Sequence, residues 1–182
     1  MFENKILIFD FDGVIADSEK YHLEASKQAV KQLGISIDIT PYFGIGLSDK
    51  MIYRQIEKDF NTTLPCDEIV KLKADIFEDM SSKIDMFPEI EKLILTLPND
   101  KIILTNSQIP YVENCLLRWG IKKYFKNIIS LYNVPMSKAD MIINLGYNPK
   151  DCVYFDDAVD PLKEAEEKGI LGIWVDNGVI KG

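Results

Sequence analysis

The chain is poor in the residues that build thiol and zinc chemistry: its 182 positions hold three cysteines, Cys66, Cys115 and Cys152, and one histidine, His22. The cysteines are odd in number, far apart and form no C-x-x-C pair, so they read as reduced packing residues. Long apolar runs are also missing. Stretches such as Ile6-Leu7-Ile8-Phe9 fall far short of the roughly 20 residues a membrane helix needs, so no bilayer span is expected. Positive charge is in deficit: 21 Lys and Arg face 29 Asp and Glu, for a net charge of -8. That balance repels a phosphate backbone at long range and argues against a nucleic-acid partner. An anionic ligand must therefore be held by local cations. Met1 to Lys5 lacks a basic n-region, and Asp10 interrupts the following apolar run too early for a signal peptide, so a cytoplasmic enzyme is the expectation.

What is present is a hydrophobic fraction of 47%, enough for one core or a core with a small inserted domain. Short Ile- and Val-rich runs recur at 6–9, 102–104, 128–129, 153–155 and 170–175. Runs of this kind predict strands buried on both faces, hence a parallel sheet. Between the later ones lie helical patterns: Pro110 to Trp119, Lys138 to Leu145 and Pro161 to Lys168, each stopped by the glycine that follows. Strand and helix in alternation predict an α/β fold, a doubly wound parallel sheet of Rossmann-like form. The stretch from Ser18 to Leu97 breaks that rhythm, because it shows helical periodicity and no strand. Ser18 and Ser48 are expected to cap helices, Thr40-Pro41 to start a short one, and Ile69, Leu72, Ile76 and Met80 to form one apolar face. An all-helical domain over residues 17–86 is therefore expected as an insertion in a core formed by 1–16 and 87–182. Pro88 to Leu97 is the core helix that leads to the second strand.

In a doubly wound sheet, ligands bind outside the carboxyl ends of the strands. Those ends carry Asp10-Phe11-Asp12-Gly13-Val14-Ile15-Ala16-Asp17-Ser18, then Thr105-Asn106-Ser107, then Asp156-Asp157, with Ser137-Lys138 opening a helix between them. Crowded carboxylates repel one another unless a hard cation sits among them, and Mg²⁺ is the natural candidate. A magnesium ion binds phosphate oxygens, and a lysine with a Thr/Asn pair completes a phosphoryl cradle. The set reads as phosphoryl transfer through an aspartyl-phosphate, with a carboxylate as nucleophile.

These residues resemble the haloacid dehalogenase superfamily, in its branch of β-phosphoglucomutase-like and phosphoglycolate phosphatase-like enzymes. The apolar strand and D-x-D-G-V/T-x-x-D-S motif are present at Asp10 through Ser18. Thr105, Lys138 and the tandem acids Asp156-Asp157 correspond to the later motifs. His22, Gly46-Leu47-Ser48, the Lys73-x-x-x-Phe77 spacing and Phe87-Pro88 resemble the branch's helical cap. The resemblance implies Asp10 as nucleophile and Asp12 as general acid/base. It implies Mg²⁺ held by the Asp10 carboxylate, the Asp12 backbone carbonyl and Asp157, with Asp156 direct or through water. Thr105, Asn106 and Lys138 would position the phosphoryl oxygens, and His22 and Lys73 would read the substrate from the cap. The implied partner is a small phosphorylated metabolite, and the chain is expected to act as a monomer or weak homodimer.

Three departures from the family pattern matter. The prolines that follow the third-motif lysine are missing, since Lys138 runs into Ala139-Asp140-Met141, so that helix starts differently or is shortened. Asp49 stands where phosphosugar mutases of the branch carry an arginine, and it would repel a second phosphate. The acid expected about four residues beyond Asp157 falls on Pro161, with Asp160 one step early. A phosphatase is therefore the leading reading, with a phosphosugar mutase or a catalytically silent interaction module as the alternatives. A carbon-attacking dehalogenase lacks an acid at the position of Asp12. A signalling receiver domain ends its third strand on an aspartate, where this chain has Ser130-Leu131.

Overall fold

A computed structural model describes residues 2–43 and 47–181, and the chain divides into two compact units, Met1–Asp17 with Asp85–Gly182, and Ser18–Ile84. Gly46, assigned above to the cap motif, lies outside the described residues.

The first unit is built on six strands: β1 (Ile6–Phe9), β2 (Lys101–Thr105), β3 (Asn127–Ser130), β4 (Cys152–Asp156), β5 (Leu171–Asp176) and β6 (Val179–Ile180). They lie in the order β3-β2-β1-β4-β5-β6, parallel except for the antiparallel β5–β6 pair. The helices between them are α4 (Pro88–Thr96), α5 (Ile109–Arg118), α6 (Lys138–Asn144) and α7 (Val159–Glu167), numbered after three that precede them in the chain. This is the doubly wound sheet expected from the sequence. The apolar runs identify β1 to β5 to within a residue or two at each end, while β6, only two residues long, has no periodicity to announce it. Not every strand is buried on both faces. β2 and β4 are, but β3 is partly exposed because it forms an edge, and β5 because only the short β6 lies beyond it.

Alternation along the strands decides which side chains can meet. Ile8, Ile102, Leu104 and Tyr154 share a cluster with Ala139 and Ile142 of α6 and Leu162 and Ala165 of α7. Asp10 continues the parity of Ile8, and Asp156 that of Tyr154, so both acids leave the sheet on the side of α6. Phe9 and Phe155 have the other parity, and their rings stack with centroids 4.6 Å apart. Where the chain leaves and re-enters this unit, its two segments are tied together. Asp17 N–H donates to Asp85 C=O at 2.9 Å and Phe87 N–H to Ile15 C=O at 3.0 Å.

The second unit holds α1 (Glu19–Gln32), α2 (Asp49–Phe60) and α3 (Cys66–Ser81), with a 3₁₀ turn at Thr40–Tyr42. Ala29, Val30, Ile39, Ile52, Tyr53, Ile56 and Ile69 form its core. Ser18 and Ser48 stand at the N-caps of α1 and α2, but neither side chain accepts a bond from the first turn, so the capping expected of them is not made. The expected α3 face packs as read at Ile69, Leu72 and Ile76, which are in or against this core, but the buried positions include two others. Ile69, Lys73 and Phe77 are its buried ridge, four residues apart, while Leu72, Ile76 and Met80 flank it half-buried. No helix among the described residues is long and apolar enough to cross a membrane.

Candidate active site

β1 lies between β2 and β4, so the connections that follow its two neighbours leave in opposite directions and open a crevice at the strands' carboxyl ends. Asp10, directly after β1, is buried and anchored by two backbone bonds. Its own N–H donates to Phe155 C=O at 2.9 Å, and Phe11 N–H donates to its Oδ1 at 2.7 Å. Lys138 is the first residue of α6, whose N-cap Ser137 accepts from Asp140 N–H. The helix runs only to Asn144, and the missing prolines do not prevent it from delivering the lysine. Lys138 Nζ lies 2.5 Å from Asp10 Oδ2 and 3.0 Å from Asp156 Oδ2.

Asp156, at the end of β4, is fully buried and fully engaged. Its Oδ2 also accepts from the Tyr154 hydroxyl, and its Oδ1 accepts from Ala158 N–H at 2.8 Å. Burial, reinforced by the charges of Asp156 and Asp10, holds the Tyr154 phenol well above its usual range, so it stays protonated and donates to Asp156. Asp157 directly follows β4 and is half-buried. The indole N–H of Trp174, on β5, donates to its backbone carbonyl at 3.0 Å.

Asp10, Asp156 and Asp157 each place a carboxylate oxygen within 4.8 Å of the others. Lys138 reaches two of these three carboxylates, those of Asp10 and Asp156. Burial above all pushes the Asp10 carboxyl up to about 7; Lys138 opposes the rise, and Asp156 and then Asp12 add to it. Burial also works against the charge on Lys138, but Asp10 and Asp156 outweigh it and hold the ammonium above the ordinary lysine value. The crowding of three carboxylates and the all-oxygen donor set fit a hard divalent cation.

The remaining candidates differ in placement. Thr105 is fully buried at the end of β2, and its Oγ1 accepts from Ser107 N–H at 3.0 Å. Asn106 is exposed in the turn that follows. Asp12 is half-buried, with Ser107 Oγ 2.5 Å from its Oδ2 and the Tyr111 hydroxyl 3.0 Å from its Oδ1. Asp160 is an exposed residue in the first turn of α7, 4.0 Å from Lys163. His22 and Lys73 belong to the helical unit. There His22 stacks on Phe77 with centroids 4.0 Å apart, and Lys73 is a buried ion pair with Asp49 at 2.5 Å. Lys73 is thus not a solvated charge, and Asp49 already answers its ammonium.

Ser107, Tyr111 and Tyr154 are the polar residues at these strand ends that sequence reasoning passed over as site residues. Ser107 stands two positions after Thr105, within the stretch already singled out. Tyr111 lies in the first turn of a helix and Tyr154 inside an apolar run, where a tyrosine reads as packing.

A family model described as haloacid dehalogenase-like hydrolase matches residues 7–175. The sequence is 27% identical over 191 aligned positions to the beta-phosphoglucomutase of Bacillus subtilis, covering 96% of this chain and 84% of that protein. It is 23% identical over 173 positions to the fructose-1-phosphate phosphatase YqaB of Escherichia coli, covering 90% of this chain and 92% of that one. Among solved structures, a hydrolase from Pseudomonas syringae matches with a TM-score of 0.79 at 20% identity, covering 96% of this chain and 86% of that one. At that identity the structural likeness bears on the fold alone.

Proposed function

The chain belongs to the haloacid dehalogenase-like hydrolases, and on that premise we propose that it is a Mg²⁺-dependent phosphatase of a small phosphorylated metabolite, working through an aspartyl-phosphate on Asp10. The observation that carries this reading is the approach of Lys138 to Asp10 at 2.5 Å, within a cluster of three carboxylates.

In the first half-reaction an Asp10 oxygen attacks phosphorus and the bond to the leaving alkoxide breaks. That alkoxide takes a proton from the Asp12 carboxyl. In the second, water attacks the aspartyl-phosphate and gives a proton to the Asp12 carboxylate. The phosphorus–oxygen bond to Asp10 breaks, inorganic phosphate departs and Asp12 has regained its proton. Lys138 favours the ionised form of Asp10 against its burial and offsets charge on the phosphoryl oxygens, with Thr105 and Asn106 as the polar partners. Asp10, Asp157 and the Asp12 backbone carbonyl would hold the cation directly, and Asp156, whose oxygens are already engaged, through water. The bound ion supplies charge neutralisation among the carboxylates and on the phosphoryl group.

His22 and Lys73 of the helical unit are proposed to read the substrate. A mutase is favoured by the identity to beta-phosphoglucomutase. Against it stands Asp49, an acid in place of the mutases' arginine. Turnover of a panel of phosphorylated metabolites, with and without Mg²⁺, tests the reading. Phosphate release that requires the metal supports it, and full activity in excess chelator overturns the metal assignment. Transfer to a sugar hydroxyl in preference to water would make the enzyme a mutase.

A further inference from the structure

Both oxygens of the Asp12 carboxylate accept from hydroxyl groups, and the two donors come from different elements. Ser107 Oγ approaches Oδ2 at 2.5 Å from the loop after β2, and the Tyr111 hydroxyl approaches Oδ1 at 3.0 Å from the first turn of α5. Neither donor is loosely held. Ser107 gives its N–H to Thr105 Oγ1 at 3.0 Å, and its C=O accepts from Ser130 Oγ at 2.7 Å; that oxygen in turn accepts from Tyr132 N–H at 3.0 Å. The Tyr111 ring stands edge-on to Phe11, with centroids 5.5 Å apart and planes at 85°. Phe11 is fully buried and also stacks on Trp119 at 5.9 Å. The immediate chain neighbour of Asp12 thus sets the ring whose hydroxyl holds Asp12.

We infer that Tyr111, together with Ser107, is a positioning residue that fixes the plane of the Asp12 carboxylate for proton transfer to the leaving group and from water. A lone carboxyl rotates freely about its last torsion, which is broad and roughly two-fold. A hydroxyl on each oxygen removes that freedom, and misorientation of a proton donor lowers the rate without weakening substrate binding. The inference rests on the phosphatase reading, because it gives Tyr111 work only if Asp12 moves protons.

Tyr111→Phe keeps the ring and its contact with Phe11 and deletes only the hydroxyl. Wild type and variant are compared on 4-nitrophenyl phosphate, whose leaving group needs little protonation, and on phenyl phosphate, whose leaving group needs more. The expected result is a kcat loss of roughly 10-fold or more on phenyl phosphate, a part of the 10²–10⁴-fold that a general acid contributes. Phosphorylation by the nitrophenyl ester should slow less than threefold, and a burst should appear on that ester as attack by water becomes limiting, with its steady-state kcat and KM falling together. In an Asp12→Ala background the same change should have no further effect, since residues acting through one group are not additive. Ser107→Ala, which leaves the aromatic contact untouched, should shift the two esters in the same direction. Equal losses in the single-turnover phosphorylation rate of both esters, no loss on either, or a full additional loss in the Asp12→Ala background would return Tyr111 to a packing role. If the wild type itself released no phosphate and formed no phosphoenzyme from either ester, the phosphatase reading would fall and this inference with it.

Discussion

Asp157 lies against the bare Cα of Gly13, so close that a Cβ built on the glycine would stand 2.2 Å from Asp157 Oδ2. Gly13 also has φ +76°, in the left-handed region where an L side chain costs about 1–2 kcal/mol. The glycine of the first motif is therefore required twice, for the turn after β1 and for the seat of the acid that follows β4. Gly13→Ala should lower stability by about 1–2 kcal/mol and displace Asp157. Mg²⁺ affinity, measured by calorimetric titration, should fall about 10- to 100-fold, as it does when the support of a metal ligand is disturbed. Unchanged affinity would remove Asp157 from the proposed ligand set.

The two aspartates of the motif should fail in different ways. Asp10→Asn removes the attacking oxygen, so neither a burst nor steady turnover is expected with any ester. Asp12→Ala keeps the nucleophile and should still be phosphorylated by an activated aryl phosphate, then release phosphate slowly, giving a burst and a low steady rate. Rapid-quench kinetics distinguish the two, and a burst from Asp10→Asn would reverse the assignment.

Asp10 should also cost the metal-free protein stability as pH rises. Burial lifts its carboxyl from 3.8 to about 7, so the fold prefers the protonated form. Its contribution is fully present below the unfolded value and is lost between about pH 4 and 7, where the unfolded chain has released the proton and the folded one has not. Asp10→Asn abolishes this titration. In urea melts without metal, the variant should gain stability relative to wild type across that window, and Mg²⁺ should reverse the order at pH 8. Parallel pH profiles would contradict the burial assigned to Asp10.

The ion pair of the helical unit is unequal. The Lys73 side chain is 7% exposed and that of Asp49 32%, at a separation of 2.5 Å. Removing Asp49 strands a buried ammonium, whereas removing Lys73 leaves a carboxylate that water can still reach. Asp49→Ala should therefore destabilise by about 3 kcal/mol and Lys73→Met by about 1 kcal/mol. Denaturant midpoints decide this, and equal costs would show that the pair acts as a solvated contact.

The sequence by itself determined the sheet, because strands buried on both faces must be apolar along their length, as in the runs Ile6 to Phe9, Ile102 to Leu104 and Val153 to Phe155. It also determined the acids and the lysine that end or follow those runs, since a charge beside a buried strand is informative in one dimension. It did not show that Ile69, Lys73 and Phe77 would form the buried ridge of α3, because a lysine at helical spacing carries no mark of the Asp49 that neutralises it from another helix. Nor did it single out Tyr154 or Tyr111, which read as aromatic packing until the partner of each hydroxyl is known. Strand parity put Asp10, Asp156 and Lys138 on one side of the sheet, and pairing of β1 with both β2 and β4 brought motifs 95 residues apart, such as Asp12 and Ser107, within a hydrogen bond. Hydrogen bonds and close ion pairs need their partners within a few ångströms, so those partners are chosen by folding and not by neighbours in the chain.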